Sequence, residues 1–402
     1  MDDKLRSLDF ATRAVHAGER MPRPDFTPVA TPIYPSVGYL YDDMADLDAI
    51  FDGTRAGYVY TRYGNPTVGA FEEAMAVLEE GQSALAFGSG MAAIHATLLG
   101  LGLRAESAAV VSRDVYGATY ALFSRLLASQ GVTVRFVDVT DPAEVETACM
   151  ELKPAVLFVE TVSNPLLRVA DLAALARIAH ANGTALVVDN TFATPYLCRP
   201  LTLGADVVVH SATKYIGGHG DALGGVVVTS SDRWQRIHEV QKATGGNLGP
   251  QEAWLLLRGI KTLPLRVCRQ CGNALEVANG LARVGGIGRV IYPGRPDHPQ
   301  HSVATRLFSG LGYGGMVAFE LRNGNRGRVF RFFEALKLCL PATTLGDVYT
   351  LVLYPAHSSH RALSLQERAT VGIGEGLVRM SVGVESRQDI LGDVKQALST
   401  LG

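Results

Sequence analysis

Residues 185–221 read ALVVDNTFATPYLCRPLTLGADVVVHSATKYIGGHGD. They hold two short apolar runs, Ala185–Asp189 and Val207–His210, and each gives way to polar residues at its carboxyl end. The same pattern continues on both sides. Ser83–Phe87, Ala108–Ser112, Val132–Asp138 and Ala155–Glu160 precede the stretch, Gly225–Thr229 follows it, and segments such as Asp171–Gly183 carry a helical period between runs. Short apolar runs alternating with helices are the pattern of a mainly parallel sheet covered on both faces. Seven such runs imply one large α/β domain. Ligands in such sheets bind beyond the carboxyl ends of the strands, so chemistry is expected in the polar residues that follow each run.

The chain has 402 residues, more than a single hydrophobic core usually serves. Residues 1–64 are rich in Pro, Gly and Tyr, as in TPVATPIYPSVGY, and are expected to form an arm packed on another surface, with a neighbouring subunit as one candidate. Residues 65–258 form the expected main domain. From 259 to 402 the pattern changes to longer helices with fewer strands, among them Gly315–Arg322 and Thr350–Tyr354, which implies a smaller C-terminal α+β domain.

A net charge of −2 supplies no electrostatic footprint for nucleic acid or anionic membrane. The opening MDDKLRSLDF lacks the apolar core of a secretion signal, and no run of about eighteen apolar residues follows, so a cytoplasmic location is expected. Five cysteines make an odd, scattered set. Cys268 and Cys271 form C-x-x-C inside a helical pattern without a second ligand pair, which reads as two thiols on a helix; no metal site is expected.

Asp189 ends one run and Lys214 follows the next, so a carboxylate and an amine converge at one edge of the sheet. A lysine can form a Schiff base with an aldehyde cofactor, and a carboxylate beside a pyridine nitrogen keeps it protonated. The pair alone is equally a surface lysine and a helix-capping aspartate. The first run supplies a second sign: it is followed by GSGMAAIHATLLG, a glycine turn opening a helix, where free amides favour a phosphate. Gly90 and Met91 are the candidate amide donors, and the hydroxyls of Ser211 and Thr213 stand just before Lys214. GSGMAA is not G-x-G-x-x-G, which argues against a dinucleotide, and the later GIGEG at Gly372–Gly376 follows no strand pattern.

VDNTFATP, HSATKYIGGHGD, GSGMAAI, VYGAT, ETVSNP and YTRYGNPT, spaced between TRAVHAG near the start and EGLVRMSVGVE near the end, resemble the Cys/Met-metabolism enzymes that use pyridoxal 5'-phosphate (PLP). The resemblance covers nearly the whole chain and implies the aspartate-aminotransferase-like fold, fold type I. It makes Lys214 the cofactor-bearing lysine and Asp189 the partner of the ring nitrogen. It implies that Tyr116 stacks on the ring and exchanges protons with substrate and leaving group. Tyr60 and Arg62 would reach a neighbouring subunit's cofactor phosphate, within a homotetramer built as a dimer of dimers. Arg379 would clamp the carboxylate of an amino-acid substrate with help from Thr344, and Asn164 would lie between cofactor and substrate.

Family resemblance also orders the possible reactions. RGIKTLPLR, residues 258–266, is similar to the lyase and cystathionine-synthase branch more than to the sulfhydrylase branch. Val59 and Thr343 stand where cystathionine γ-lyases carry glutamates, Ala118 where many methionine γ-lyases carry cysteine, and Leu345 where bacterial cystathionine β-lyases carry tryptophan. The expected reaction is α,γ-elimination on methionine or a related γ-substituted amino acid. The alternative is γ-replacement of the cystathionine γ-synthase or O-acyl-homoserine sulfhydrylase type.

Overall fold

The structure, a computed structural model, describes residues 7–18, 26–358, 361, 366, 368 and 372–401. Seven strands, β1 (Ser83–Phe87), β2 (Ala108–Ser112), β3 (Thr133–Val137), β4 (Val156–Glu160), β5 (Ala185–Asp189), β6 (Val207–Ser211) and β7 (Gly225–Thr229), form one sheet in the order β1-β7-β6-β5-β4-β2-β3. Strand β7 is antiparallel to both neighbours and every other adjacent pair is parallel. Six strands therefore turn their carboxyl ends to the same edge. The apolar runs of the sequence fall on these strands to within one residue at either end.

Alternate side chains fill the two faces, as a two-residue period requires. Val110, Leu157, Val159, Leu186, Val188 and Val208 pack on one side, while Val111, Phe158, Val187 and Val209 pack on the other. With both faces buried the strands are continuous apolar runs rather than alternating ones. The helix Leu172–Ala181 covers the first side with Leu172, Leu175, Ala176 and Ala179, and Asp171 caps its start by accepting the Ala174 N–H at 3.3 Å.

Strand β1 lies at the edge, and side chains replace its missing neighbour. Glu72 accepts the Ala86 N–H at 2.7 Å, Gln241 donates to the Ala86 carbonyl at 2.7 Å, and Trp234 donates to the Ala84 carbonyl at 2.9 Å. These bonds satisfy an otherwise open edge and hold the strand that leads into Ser89 and Gly90.

A second sheet, ordered β10-β11-β12-β9-β8, joins β8 (Ile287–Ile291), β9 (Met316–Leu321), β10 (Leu340–Pro341), β11 (Leu351–Leu353) and β12 (Leu377–Ser381). Helices Leu263–Leu281 and Arg387–Ser399 pack on it through Ala274, Val277, Ile390 and Val394. Together the two sheets give the fold type I architecture expected from the sequence. Strands β9 and β11 lie where the sequence reading places them, whereas β8, β10 and β12 escape it. All five residues of β12 are buried, yet Arg379 interrupts its apolar pattern. Gly372–Gly376 leads into β12 rather than following a strand into a helix.

Part of the N-terminal arm packs on its own chain. Helix Phe10–His16 buries Ala14, and its Arg13 reaches Glu80 at 3.2 Å. Farther along, helix Met44–Phe51 buries nothing and Leu40 is fully exposed. Cys271 is buried and Cys268 exposed on helix Leu263–Leu281. Among the described residues no helix is long and apolar enough to cross a membrane.

Candidate active site

The carboxyl edge of the main sheet and the end of the second sheet enclose a cavity of about 450 Å³. Gly90 and Met91 after β1, Tyr116 after β2, Asn164 after β4, Asp189 ending β5, Ser211 ending β6, Thr213, Lys214 and Arg379 from β12 all line it. Parallel strands bring together residues far apart in sequence because their loops emerge at one edge.

Lys214 Nζ donates to the Thr344 hydroxyl at 3.0 Å. Burial, aided by the nearby Arg379 guanidinium, lowers the Lys214 ammonium below its ordinary value and favours the nucleophilic amine. Arg379 Nη1 donates to Asn164 Oδ1 at 3.1 Å, and Nη2 donates to the Thr344 carbonyl at 3.1 Å. Burial brings Arg379 down to about 10, which leaves it a cation at neutral pH. Among the described residues its buried Nε has no partner. A cation fixed by two bonds with donor capacity to spare is suited to an incoming carboxylate.

Two carboxyls stand side by side, since the register pairs Glu160 of β4 with Asp189 of β5. Burial and then the charge of Asp189 push Glu160 well above the usual carboxylate range, although it accepts the Tyr116 N–H at 2.6 Å. Burial raises Asp189 too, but the Thr191 hydroxyl and N–H and the charge of His210 oppose that rise. The environments thus differ: Glu160 is pushed upward by burial and by its acidic neighbour and positions the Tyr116 backbone, while Asp189 has more groups that favour its charged form.

At the start of helix Gly90–Gly100, which follows β1, Ser89 accepts the Ala92 N–H at 3.1 Å, and Gly90 opens the turn. A Cβ on Gly90 would lie 3.0 Å from the Ser211 Cβ and 3.3 Å from its hydroxyl, so a side chain there would crowd β6 and glycine eases the close approach of the helix start. The Thr213 hydroxyl is engaged with the backbone of Gly224, accepting its N–H at 3.0 Å and donating to its carbonyl at 3.1 Å. It therefore braces the Lys214 loop as well as facing the cavity.

Tyr60 and Arg62 do not line this cavity in their own chain. The Arg62 guanidinium lies 5.6 Å from the Tyr60 ring centre and 4.9 Å from that of Tyr63, and donates to the Lys242 carbonyl in a separate cleft. Sequence reasoning missed Glu160, Thr191 and Leu223, all of which line the cavity. Glu160 left a signal, a lone acid closing the apolar run VLFVE. Thr191 sits inside the quoted Asp189 motif, and Leu223 had no signal.

The residues present fit PLP. A buried amine of lowered basicity, a carboxylate stabilised from several sides, and a glycine-bounded helix start beside Ser211 match its aldehyde, ring nitrogen and phosphate. The profile described as "Cys/Met metabolism PLP-dependent enzyme" matches residues 11–399. An L-methionine gamma-lyase of Fusobacterium nucleatum subsp. polymorphum is 42% identical over 402 residues, covering 99% of this chain and all of that one. An O-succinylhomoserine sulfhydrylase of Pseudomonas aeruginosa is 41% identical over 403 residues, covering all of this chain and 98% of that one. A crystal structure of cystathionine gamma-lyase from Lactobacillus plantarum complexed with L-serine superposes with a TM-score of 0.91 at 36% identity, covering 98% and 99% of the two chains. Fold, cavity and end-to-end similarity agree, and the chain belongs to the PLP-dependent enzymes of Cys/Met metabolism.

Proposed function

We propose that the protein is a γ-lyase that eliminates a thiol from methionine or a related γ-substituted amino acid, leaving 2-oxobutanoate and ammonia. One observation carries this reading: Leu223, Leu345 and Leu353 line the cavity, accompanied by Thr343 and Ser358. Among the described residues Glu160 and Asp189 are the only acids lining it, and both sit at strand ends in the sheet edge. An uncharged thioether suits such walls, whereas the distal ammonium of cystathionine would be desolvated without a counter-ion.

Bound PLP supplies an aldehyde for the substrate amine and a ring that accepts the electrons released at Cα. Arg379, fixed by Asn164 and Thr344, binds the substrate carboxylate and sets the direction in which the side chain points. Lys214 Nζ, held by the Thr344 hydroxyl, would take the α-proton once displaced by the substrate amine and then a proton from Cβ, the second loss being what expels the γ-substituent. Tyr116, anchored through its N–H by Glu160, offers its phenol to the departing sulfur. Asp189 holds the proton on the ring nitrogen.

Elimination and replacement share these groups and diverge in what attacks after the γ-substituent leaves. The 41% identical sulfhydrylase makes γ-replacement on a homoserine ester the second reading. Purified PLP-loaded enzyme given methionine, cystathionine and O-succinylhomoserine should release 2-oxobutanoate from methionine without added thiol. Keto acid absent from methionine, with thioether formed from the ester only when thiol is added, would establish replacement instead.

The position of Arg62 outside its own chain's cavity supports an active site completed by a neighbouring subunit within a homotetramer. Mixing Lys214→Ala with Arg62→Ala chains should then restore turnover through hybrid sites. Absence of recovery, with subunit exchange demonstrated by mass spectrometry, would rule out a shared site.

A further inference from the structure

Strands β4, β2 and β3 adjoin and run parallel, so the loops that follow them leave the same edge of the sheet. One arginine that the chemistry above leaves unused ties all three loops together. After β4 the chain doubles back: Val162 bridges Val169, the Ser163 N–H donates to the Arg168 carbonyl at 2.9 Å, and the Arg168 N–H donates to the Ser163 hydroxyl at 3.1 Å. Asn164 lies just inside one arm of this hairpin and Arg168 ends the other. Arg168 Nη1 donates to Asp138 Oδ2, just beyond β3, at 2.8 Å and lies 3.3 Å from Asp114 Oδ2, just beyond β2. Asp114 stands two residues before Tyr116, so a single guanidinium joins the hairpin of Asn164 to the loop of Tyr116.

We propose that Arg168 is a positioning residue for departure of the γ-substituent, holding the Tyr116 loop against the Asn164 hairpin so that the phenol meets the leaving sulfur. This rests on the reading of Tyr116 as the proton donor to that sulfur. Tyr116 is 44% exposed, so the direction of its side chain depends on the backbone that carries it. That backbone is held at Tyr116 itself, where the N–H donates to Glu160 at 2.6 Å and the carbonyl accepts the Tyr120 N–H at 2.9 Å. Ahead of it the hold runs through Asp114, whose own N–H makes only a long bond of 3.4 Å to the Ser112 hydroxyl.

Arg168 has no substitute at Asp114. The nearby Arg113 guanidinium is taken up by both oxygens of Glu144, at 2.6 and 2.7 Å, and among the described residues the buried Asp114 Oδ2 accepts no hydrogen bond that could replace the ion pair. Burial raises the Asp114 carboxyl, and the Arg168 charge is the strongest influence against that rise. Asp138 is the fixed end of the clamp, because its other oxygen accepts both the N–H and the hydroxyl of Thr140, at 2.9 and 2.6 Å. Loss of the guanidinium would leave two carboxyls facing each other with no cation between them. Asp114 is the end free to move, and the start of the Tyr116 loop moves with it.

The test compares two leaving groups in the holoenzyme. Methionine releases a thiolate, which needs a proton as it departs, whereas methionine sulfone releases a sulfinate, a base too weak to need one. Arg168→Gln should lower kcat for methionine by about tenfold and for the sulfone by less than about twofold, and Arg168→Lys should recover part of the loss. Amide exchange followed by mass spectrometry should speed up about tenfold in the peptide covering residues 113–121 and stay native in strand β5. Asp114→Asn, made from the other side of the contact, should reproduce the leaving-group bias, and the double variant should be no worse than the worse single one. It also decides the matter if Arg168→Gln fails to fold. Tyr116→Phe should show the same bias by removing the phenol directly. Equal slowing of both substrates in Arg168→Gln and Asp114→Asn, with the bias kept in Tyr116→Phe, would overturn the clamp while leaving Tyr116 its part. A Tyr116→Phe enzyme without the bias would instead remove Tyr116 from the departure step, and Arg168 with it.

Discussion

Lys214→Ala should lose the visible absorption of the covalently held cofactor and lower turnover of methionine by about 10³-fold or more, the scale of losing a general base together with the covalent anchor. The structure explains why no neighbour should substitute. Among the described residues Lys214 is the only lysine lining the cavity, and Arg379, the other cation there, is committed to Asn164 and Thr344. Burial and the Arg379 charge lower the basicity of Lys214, a condition that an exposed lysine elsewhere lacks. Folding should be little affected, because the substitution removes one hydrogen bond, to Thr344, worth about 1 kcal/mol. Absorbance spectra and single-turnover rates on a variant of native circular dichroism would decide the matter. Retention of both the absorption band and turnover would transfer the role to another residue.

The main sheet was legible because burial on both faces leaves its strands as unbroken apolar runs, and polar residues at their ends mark the functional edge. Lys214, Asp189, Gly90 and Ser211 follow from that logic. Arg379 does not: it stands in a buried strand whose pattern it disrupts, and only its motif resemblance singled it out. Strand β8 was hidden for the opposite reason, since Gly288 and Arg289 are exposed and break its short run. The paired acids were half visible. Glu160 closes a strand, but that it faces Asp189 depends on which strands are neighbours, and β4 and β5 adjoin only in three dimensions. Leu223, Leu345 and Leu353 come from three separate segments, and no periodicity links them.

Arg379→Lys should raise KM for methionine by about 10²-fold, with a smaller change in kcat, which corresponds to a loss of about 3 kcal/mol from a buried charged contact. Lysine keeps the charge but not the planar fork. One ammonium cannot donate in fixed directions to Asn164 Oδ1 and the Thr344 carbonyl while presenting a further donor pair to a carboxylate. Asn164 and Thr344 would lose their shared anchor, and with Thr344 the hydroxyl that holds Lys214 becomes less well placed. Methioninol, which has an alcohol in place of the carboxylate, separates recognition from general damage. The native enzyme should bind methionine far more tightly than the alcohol, and Arg379→Lys should lose most of that discrimination by weakening only methionine. Equal weakening of both ligands would mean that Arg379 serves the architecture of the cavity, and the substrate carboxylate would have to be held elsewhere. The unpartnered Nε of Arg379 argues against that outcome: a buried guanidinium with donor capacity left over, beside an amine of lowered basicity, is arranged for an anion that arrives with the substrate.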